Sequence, residues 1–170
     1  MAPVSGHSRY PVSAGILLYR LTPAGLEILL AHPGGPYCAG RDEGIWGLPK
    51  GLPDPHEDLL AAARREFSEE TSLAPAGPFL PLGQVTLRSG KVVHAWASQG
   101  DADPRALVSN TFTMEWPPHS GNPQEFPEVD RCAWFGVPEA RRLINPAQVA
   151  FLDRLEAAVA GLGQPREVAP

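Results

Sequence analysis

Apolar residues gather in short runs in some segments of this chain and recur at helical spacing in others, which separates predicted strands from predicted helices. Runs bounded by turn residues indicate strands. The predicted strands and extended segments are 12–19, 26–31, 80–87, 91–98, 111–116 and 131–137. Thr22–Gly25 and Arg88–Gly90 are turn-forming and are expected to close hairpins. Long loops are predicted at 32–44 and 117–124.

Helices are predicted in three places. Asp58 is a suitable N-cap for a helix that runs to about Thr71. Residues 138–143 form a short helix, and residues 147–160 form an amphipathic helix that Pro146 can enter. The side chains expected to face the core are Leu59, Leu60, Ala63, Phe67, Val149, Leu152, Leu155 and Val159. Strands, a helix, more strands and final helices give a mixed α/β order.

Composition narrows the class of protein without naming a function. A chain of 170 residues is expected to form one domain. We place that domain at 10–160, after an N-terminal extension (1–9) and before a flexible tail (161–170). A net charge of −5 argues against a general nucleic-acid or anionic-membrane surface. With no apolar run long enough to span a bilayer, no secretory signal and only 2 cysteines, we expect a cytoplasmic protein.

The segment from Gly51 to Leu73 carries the candidate chemistry. Glu66, Glu69 and Glu70 stand at i, i+3 and i+4 and share one face of the predicted helix. Carboxylates this close repel each other, and a divalent cation such as Mg²⁺ or Mn²⁺ between them would remove the repulsion. The alternative is a solvated acidic face paired with the neighbouring arginines.

The spacing of the whole segment decides between these interpretations. It resembles the Nudix box, Gly-x5-Glu-x7-Arg-Glu-U-x-Glu-Glu-x-Gly-U, in which U is apolar. The residues that match are Gly51, Glu57, Arg65, Glu66, Phe67, Glu69, Glu70 and Leu73. Ser72 departs from the motif glycine, which puts the usual turn at the helix end in doubt. The resemblance implies the Nudix fold, a mixed β-sheet sandwiched between α-helices.

The resemblance also implies a reaction: metal-dependent hydrolysis of a phosphoanhydride bond in a nucleoside diphosphate linked to another group. It implies Mg²⁺ or Mn²⁺ held by Glu66, Glu69 and Glu70, with the Lys50 carbonyl as a further ligand. Glu57 would complete the outer metal shell or steady the loop. The implied catalytic set is Glu66, Glu69, Glu70, Arg65 and Glu128, with Arg65 orienting the glutamates. Glu128 lies six residues before Trp134, and Glu125 is the alternative.

The substrate remains open within this family. Pro49-Lys50-Gly51 resembles dinucleoside polyphosphate and diphosphoinositol polyphosphate hydrolases, and a lysine there suits longer anionic chains. The segments 32–36, 115–118 and 125–130 resemble a bacterial subgroup predicted to act on nucleoside triphosphates. We therefore expect a small-molecule nucleotide substrate, first a dinucleoside polyphosphate such as diadenosine tetraphosphate and second a nucleoside triphosphate. Tyr37 and Phe126 are candidates for stacking on a base. A catalytically idle binding module is the alternative from another class, supported only by Ser72.

Overall fold

The computed structural model describes residues 11–162. A main sheet has the strand order β4-β5-β1-β2-β8, with β3 also paired to β1, and a two-stranded sheet contains β6 and β7. The strands are β1 (Val12–Thr22), β2 (Gly25–Pro33), β3 (Lys50–Gly51), β4 (Phe79–Thr86), β5 (Val92–Gln99), β6 (Thr111–Glu115), β7 (Pro123–Pro127) and β8 (Val129–Gly136). The helices are α1 (Leu59–Thr71), α2 (Val137–Leu143) and α3 (Val149–Leu162). This is the mixed α/β architecture, with a mixed sheet between helices, that the sequence predicted.

The central strand β1 is buried on both faces, which explains its nearly continuous apolar sequence. One face contributes Ala14 and Ile16 to a core that includes Phe67 of α1. The opposite face contributes Leu17 to a core that includes Phe151 of α3. The sheet therefore separates two apolar layers, each covered by helical side chains.

A gap between β1 and β2 positions the site. The two strands pair over Tyr19–Thr22, but nearer its start β1 pairs with β3 instead, with Gly15 opposite Lys50. The inserted segment is held from both sides, since the Ala31 N–H donates to the Gly47 carbonyl (2.8 Å) and the Ile16 N–H donates to the Pro49 carbonyl (3.2 Å). Lys50 and Gly51 are consequently fixed at the middle of the sheet.

Most predicted elements are confirmed, and α1 begins and ends as expected. The predicted core-facing residues Leu59 and Leu60 are half-buried and pack against the core, and the structure adds the fully buried Ala62. On the last helix Val149 and Val159 are also half-buried and pack against the core, and the structure adds the fully buried Phe151. Ala62 and Phe151 join the core because the helical period places them next to the predicted apolar stripe and close to the sheet.

Several element boundaries differ from the prediction. Residues 146–148 form one turn of 3₁₀ helix, so α3 begins later and continues past 160 to Leu162. Strand β7 replaces the end of the predicted second loop, because its backbone pairs with β6 although its sequence is polar and has proline at both ends. The expected extension and the last eight residues of the expected tail lie outside the described residues. None of the helices within 11–162 is long and apolar enough to cross a membrane.

Candidate active site

Helix α1 brings the acidic residues to the centre of the molecule. Its start is fixed by Asp58, whose carboxylate accepts the Ala61 N–H at 3.1 Å. Phe67 packs into the core, and this contact orients the neighbouring glutamates towards the inserted β3 segment. Helical geometry therefore supplies the common acidic face that the sequence predicted.

The helix ends at Ser72, which has φ 60° and ψ 17°, the left-handed conformation expected of the motif glycine. Its N–H donates to the Ser68 carbonyl at 2.7 Å. Its hydroxyl donates to the Val108 carbonyl at 2.8 Å, a contact that glycine could not make. The serine thus keeps the turn geometry of the motif and adds a link to the segment before β6.

Arg65 is the hub of the acidic cluster. Its guanidinium donates two hydrogen bonds to Glu57 (2.9 and 2.8 Å) and one each to Glu66 (2.9 Å) and Glu69 (3.2 Å). A further donor reaches the Leu52 carbonyl at 3.1 Å. This pairing holds the pKa of Glu57 well below its ordinary value, at about 2. Arg65 therefore orients the carboxylates, and Glu57 also accepts the Asp54 N–H (2.8 Å) and so steadies the loop before α1.

Backbone groups of β3 approach the glutamates closely. The Lys50 N–H donates to a Glu70 carboxylate oxygen at 3.1 Å. A Cβ atom at Gly51 would overlap the Glu66 carboxylate, so only glycine permits this approach. The close contact between Gly51 and Glu66 therefore explains why the motif has glycine at this position.

Glu128 reaches the same place from the other side. Its N–H donates to the Asn110 carbonyl (2.8 Å), and the Asn110 N–H donates to the carbonyl of Glu69 in the last turn of α1 (3.1 Å). The carbonyl of Glu128 accepts the Gly34 N–H at 3.0 Å. These bonds tie the end of the β6–β7 hairpin to α1 and to the loop after β2, and they place Glu128 where its charge raises the pKa of both Glu66 and Glu70.

These residues line an open cleft of about 490 Å³. Its wall contains Pro33, Gly34, Lys50, Gly51, Leu52, Glu66, Glu70, Lys91, Phe112 and Glu128. A smaller cavity of about 190 Å³ continues from it past Lys50, Glu70 and Glu128 towards Gln148. Glu57 and Glu69 lie outside this wall, and Arg65 links both of them to Glu66 within it. The cleft is therefore acidic on the α1 side and carries two lysines.

Burial controls the protonation of the central groups. It raises the pKa of Glu70 to about 8, against the opposing effect of Lys50, and the nearby Glu128 and Glu66 raise it further. Burial also raises the pKa of Glu66, although its hydrogen bond to Arg65 acts in the opposite direction. The half-buried Lys50 has a lowered pKa for the same reason. Two desolvated carboxylates, Glu66 and Glu70, face one cleft with the exposed Glu128 opposite them, and this arrangement is suited to a cation.

The family model described as "NUDIX domain" matches residues 9–155, which is nearly the whole chain. The chain belongs to the Nudix family. It is accordingly a Nudix pyrophosphohydrolase. No protein in the curated set matches it.

Solved structures of Nudix proteins share its fold. An Ap4A hydrolase of C. elegans, in a binary complex, is 22% identical with a TM-score of 0.61, over 88% of this chain and 98% of that one. The NUDIX domain of Shewanella oneidensis NrtR, complexed with ADP ribose, is 17% identical with a TM-score of 0.59, over 90% and 88%. RenU, a Nudix hydrolase from M. smegmatis, is 21% identical with a TM-score of 0.58, over 94% and 91%. At these identities the likeness shows the fold alone.

Nudix hydrolases generally use a divalent metal, and the residues of this cleft fit one. Glu66, Glu69 and Glu70 each have one carboxylate oxygen that accepts no hydrogen bond within residues 11–162. Within the same range no three acidic, histidine or cysteine side chains enclose an ion by themselves. Mg²⁺ suits this arrangement because it usually takes one or two carboxylates and fills its other positions with water and substrate phosphates.

Of the predicted site residues, Glu66, Glu70, Glu128 and Lys50 line this Nudix cleft, and other residues of its wall were not predicted. Tyr37 is 59% exposed with its ring edge-on to Trp116, and neither it nor Phe126 lines the cleft among the described residues. Phe112, which faces Phe126 across the β6–β7 pair, lines it instead. Lys91 was missed too. Only its place at the start of β5, directly after the hairpin turn, could have indicated it.

Proposed function

We propose that this Nudix hydrolase cleaves a phosphoanhydride bond of dinucleoside polyphosphates, such as diadenosine tetraphosphate, with Mg²⁺ or Mn²⁺. The observation that carries the proposal is the position of Lys50. The half-buried side chain of Lys50 lines the same cleft as Glu66, Glu70 and Glu128. Among residues 11–162, no carboxylate oxygen lies within 4.0 Å of its ammonium nitrogen. A cation held in a cleft without an ion pair at contact distance is suited to an anionic ligand.

The acidic side of the cleft would hold the metal. Glu66 and Glu70 are the central ligands, with Glu69 close to them and the Lys50 carbonyl as a further oxygen donor. The ion, when bound, neutralises phosphate charge and makes water a better nucleophile. A cation at these oxygens also favours the ionised forms of the glutamates, which burial alone disfavours.

The protein's own groups then have separate tasks. Arg65 and Glu57 keep Glu66 and Glu69 in fixed orientations without touching substrate. Glu128, on the hairpin side, is a carboxylate positioned to accept a proton from water, and Glu66 and Glu70 are the other two candidates. Lys50 neutralises phosphate oxygens next to the reacting bond. Phe112 offers an aromatic wall that can pack against a nucleoside.

A nucleotide panel tests the proposal. The wild-type protein is assayed with diadenosine tetraphosphate, ATP and ADP-ribose, each with Mg²⁺ and with EDTA. We expect diadenosine tetraphosphate to give the highest kcat/KM and EDTA to abolish turnover. If kcat/KM is highest for ATP, the proposed substrate class is wrong and a nucleoside triphosphate takes its place. Full activity in EDTA would refute the metal-dependent reaction.

Variants connect the activity to the cleft. Glu70→Gln should lower kcat by on the order of three decades while the thermal midpoint shows an intact fold. Glu156→Gln is the matched control, since this glutamate lies on α3 and contacts Arg141. Lys50→Met should lower kcat/KM for diadenosine tetraphosphate about tenfold more than for ADP-ribose, the loss expected for one charge-assisted contact. Equal losses on both substrates would remove the argument from Lys50.

A further inference from the structure

The cleft contains a second lysine that the Nudix motif does not include. Lys91 lies just before β5 and lines the cleft together with Lys50 and the acidic residues. Like Lys50, it has no carboxylate oxygen within 4.0 Å of its nitrogen among residues 11–162. By contrast, Arg20, Arg65, Arg141 and Arg142 each bind two or more acidic side chains. The two cleft lysines are therefore unpaired although glutamates lie nearby.

The backbone around Lys91 is well fixed. The Leu87 N–H donates to the Lys91 carbonyl (2.8 Å), and the Gly90 N–H donates to the Leu87 carbonyl (2.9 Å), which closes the β4–β5 turn. The next residue, Val92, pairs with Val12 in the parallel β1–β5 ladder. A lysine on such a turn is usually solvated, but this one is half-buried against the cleft.

The charges follow an order across the cleft. Lys50 lies on β3, where its N–H donates to Glu70 of the acidic helix (3.1 Å), whereas Lys91 precedes β5 on the other side of β1. Lys50 consequently stands between the acidic side and Lys91. A metal-bound diphosphate at Glu66 and Glu70 would meet Lys50 first, and an anion would have to extend further to meet Lys91.

We propose that Lys91 is a specificity-determining residue that binds phosphates beyond the two joined at the cleaved bond, so that the cleft selects long polyphosphate chains over diphosphates. The inference rests on the proposed function, because it assumes that the reacting diphosphate lies on the acidic side. It adds a second subsite to that function. The chemical class of ligand is a nucleoside-linked chain of about four phosphates, whose charge exceeds what Lys50 alone neutralises.

The test is a comparison of Lys91→Met with wild type on diadenosine tetraphosphate and ADP-ribose at fixed salt and Mg²⁺. Arg88→Met is the matched control, since it removes one positive charge from the same turn at an exposed residue outside the cleft wall. We expect Lys91→Met to lower kcat/KM for the tetraphosphate about tenfold, with little change on ADP-ribose and little effect of Arg88→Met on either. Equal losses on both substrates, no loss, or the same loss from Arg88→Met would each overturn the proposal.

A binding measurement separates this inference from the proposed function. Dissociation constants for the same two ligands are measured by calorimetry with Glu70→Gln and with Glu70→Gln/Lys91→Met, in which turnover is suppressed. Selective weakening of the tetraphosphate by the second substitution supports the Lys91 subsite even if the wild-type enzyme proves to prefer another substrate. Preferred hydrolysis of the tetraphosphate with unchanged dissociation constants would overturn the subsite and leave the proposed function standing.

Discussion

Replacing Arg65 by methionine should destabilise the fold measurably, because several groups depend on its guanidinium. The substitution keeps most of the aliphatic length of the side chain and removes every donor. Glu66, whose side chain is only 13% exposed, would lose its cation partner at 2.9 Å, the one it has among residues 11–162. Leaving a mostly buried carboxylate unpaired costs about 2–3 kcal/mol, since its desolvation is then no longer offset.

The assay is thermal unfolding at neutral pH and moderate salt. A loss of about 2–3 kcal/mol corresponds to roughly 5–10 °C in the midpoint of a domain of this size. Arg65→Lys should recover part of the loss, because an ammonium keeps the charge but cannot form the two parallel bonds to Glu57.

Arg105→Met provides the control. That arginine pairs with Asp103 at 3.0 Å, but its side chain is 90% exposed. The thermal midpoint of the Arg105→Met variant should stay within about 1 °C of wild type, because exposed ion pairs contribute little to stability. If Arg65→Met unfolds within about 1 °C of wild type as well, Arg65 does not orient the acidic cluster, and the reasoning fails.

Two further predictions concern stability. Ser72→Gly should change the free energy of unfolding by less than about 1 kcal/mol, because glycine relieves the backbone strain at φ 60° and this offsets the lost hydrogen bond to Val108. Ser72→Ala should cost about 1 kcal/mol, because alanine keeps the strain and loses the hydrogen bond. Urea unfolding of both variants measures these free energies, and equal stability of Ser72→Gly and Ser72→Ala would contradict the prediction. Arg65 depresses the pKa of Glu57 from 4.5 to about 2, so Glu57 stabilises the fold above its ordinary pKa and this contribution is lost as the pH falls towards about 2. The difference in melting midpoint between wild type and Glu57→Gln should therefore shrink between pH 5 and pH 2 (roughly), and a constant difference would exclude this linkage.

The sequence alone determined the features that depend on local spacing. The bounds of α1, its Asp58 cap and the shared face of Glu66, Glu69 and Glu70 follow from the helical period, which acts over a few residues. The hairpins around Thr22–Gly25 and Arg88–Gly90 follow from turn chemistry, which is also local. The length and specificity of the motif then indicated the family, and with it the fold.

Only the tertiary structure decided what distant segments share. Glu128 and Glu125 are equally acidic in sequence and both are exposed, but backbone hydrogen bonds to Asn110 and Gly34 hold Glu128 at the cleft wall, whereas Glu125 lies on β7 outside that wall. Phe112 and Phe126 are cross-strand partners on one face of the β6–β7 hairpin, and which of the two reaches the cleft depends on how the hairpin is anchored to the rest of the fold.

The same holds for the charges that control the chemistry. That Arg65 pairs with the acidic face, yet leaves one oxygen on each of Glu66 and Glu69 without a hydrogen bond within 11–162, depends on the rotamers that packing permits. That Lys50 and Lys91 meet in one cleft depends on the gap between β1 and β2 and on the parallel pairing of β1 with β5. Strand pairing joins residues far apart in the chain, and no local pattern carries that information.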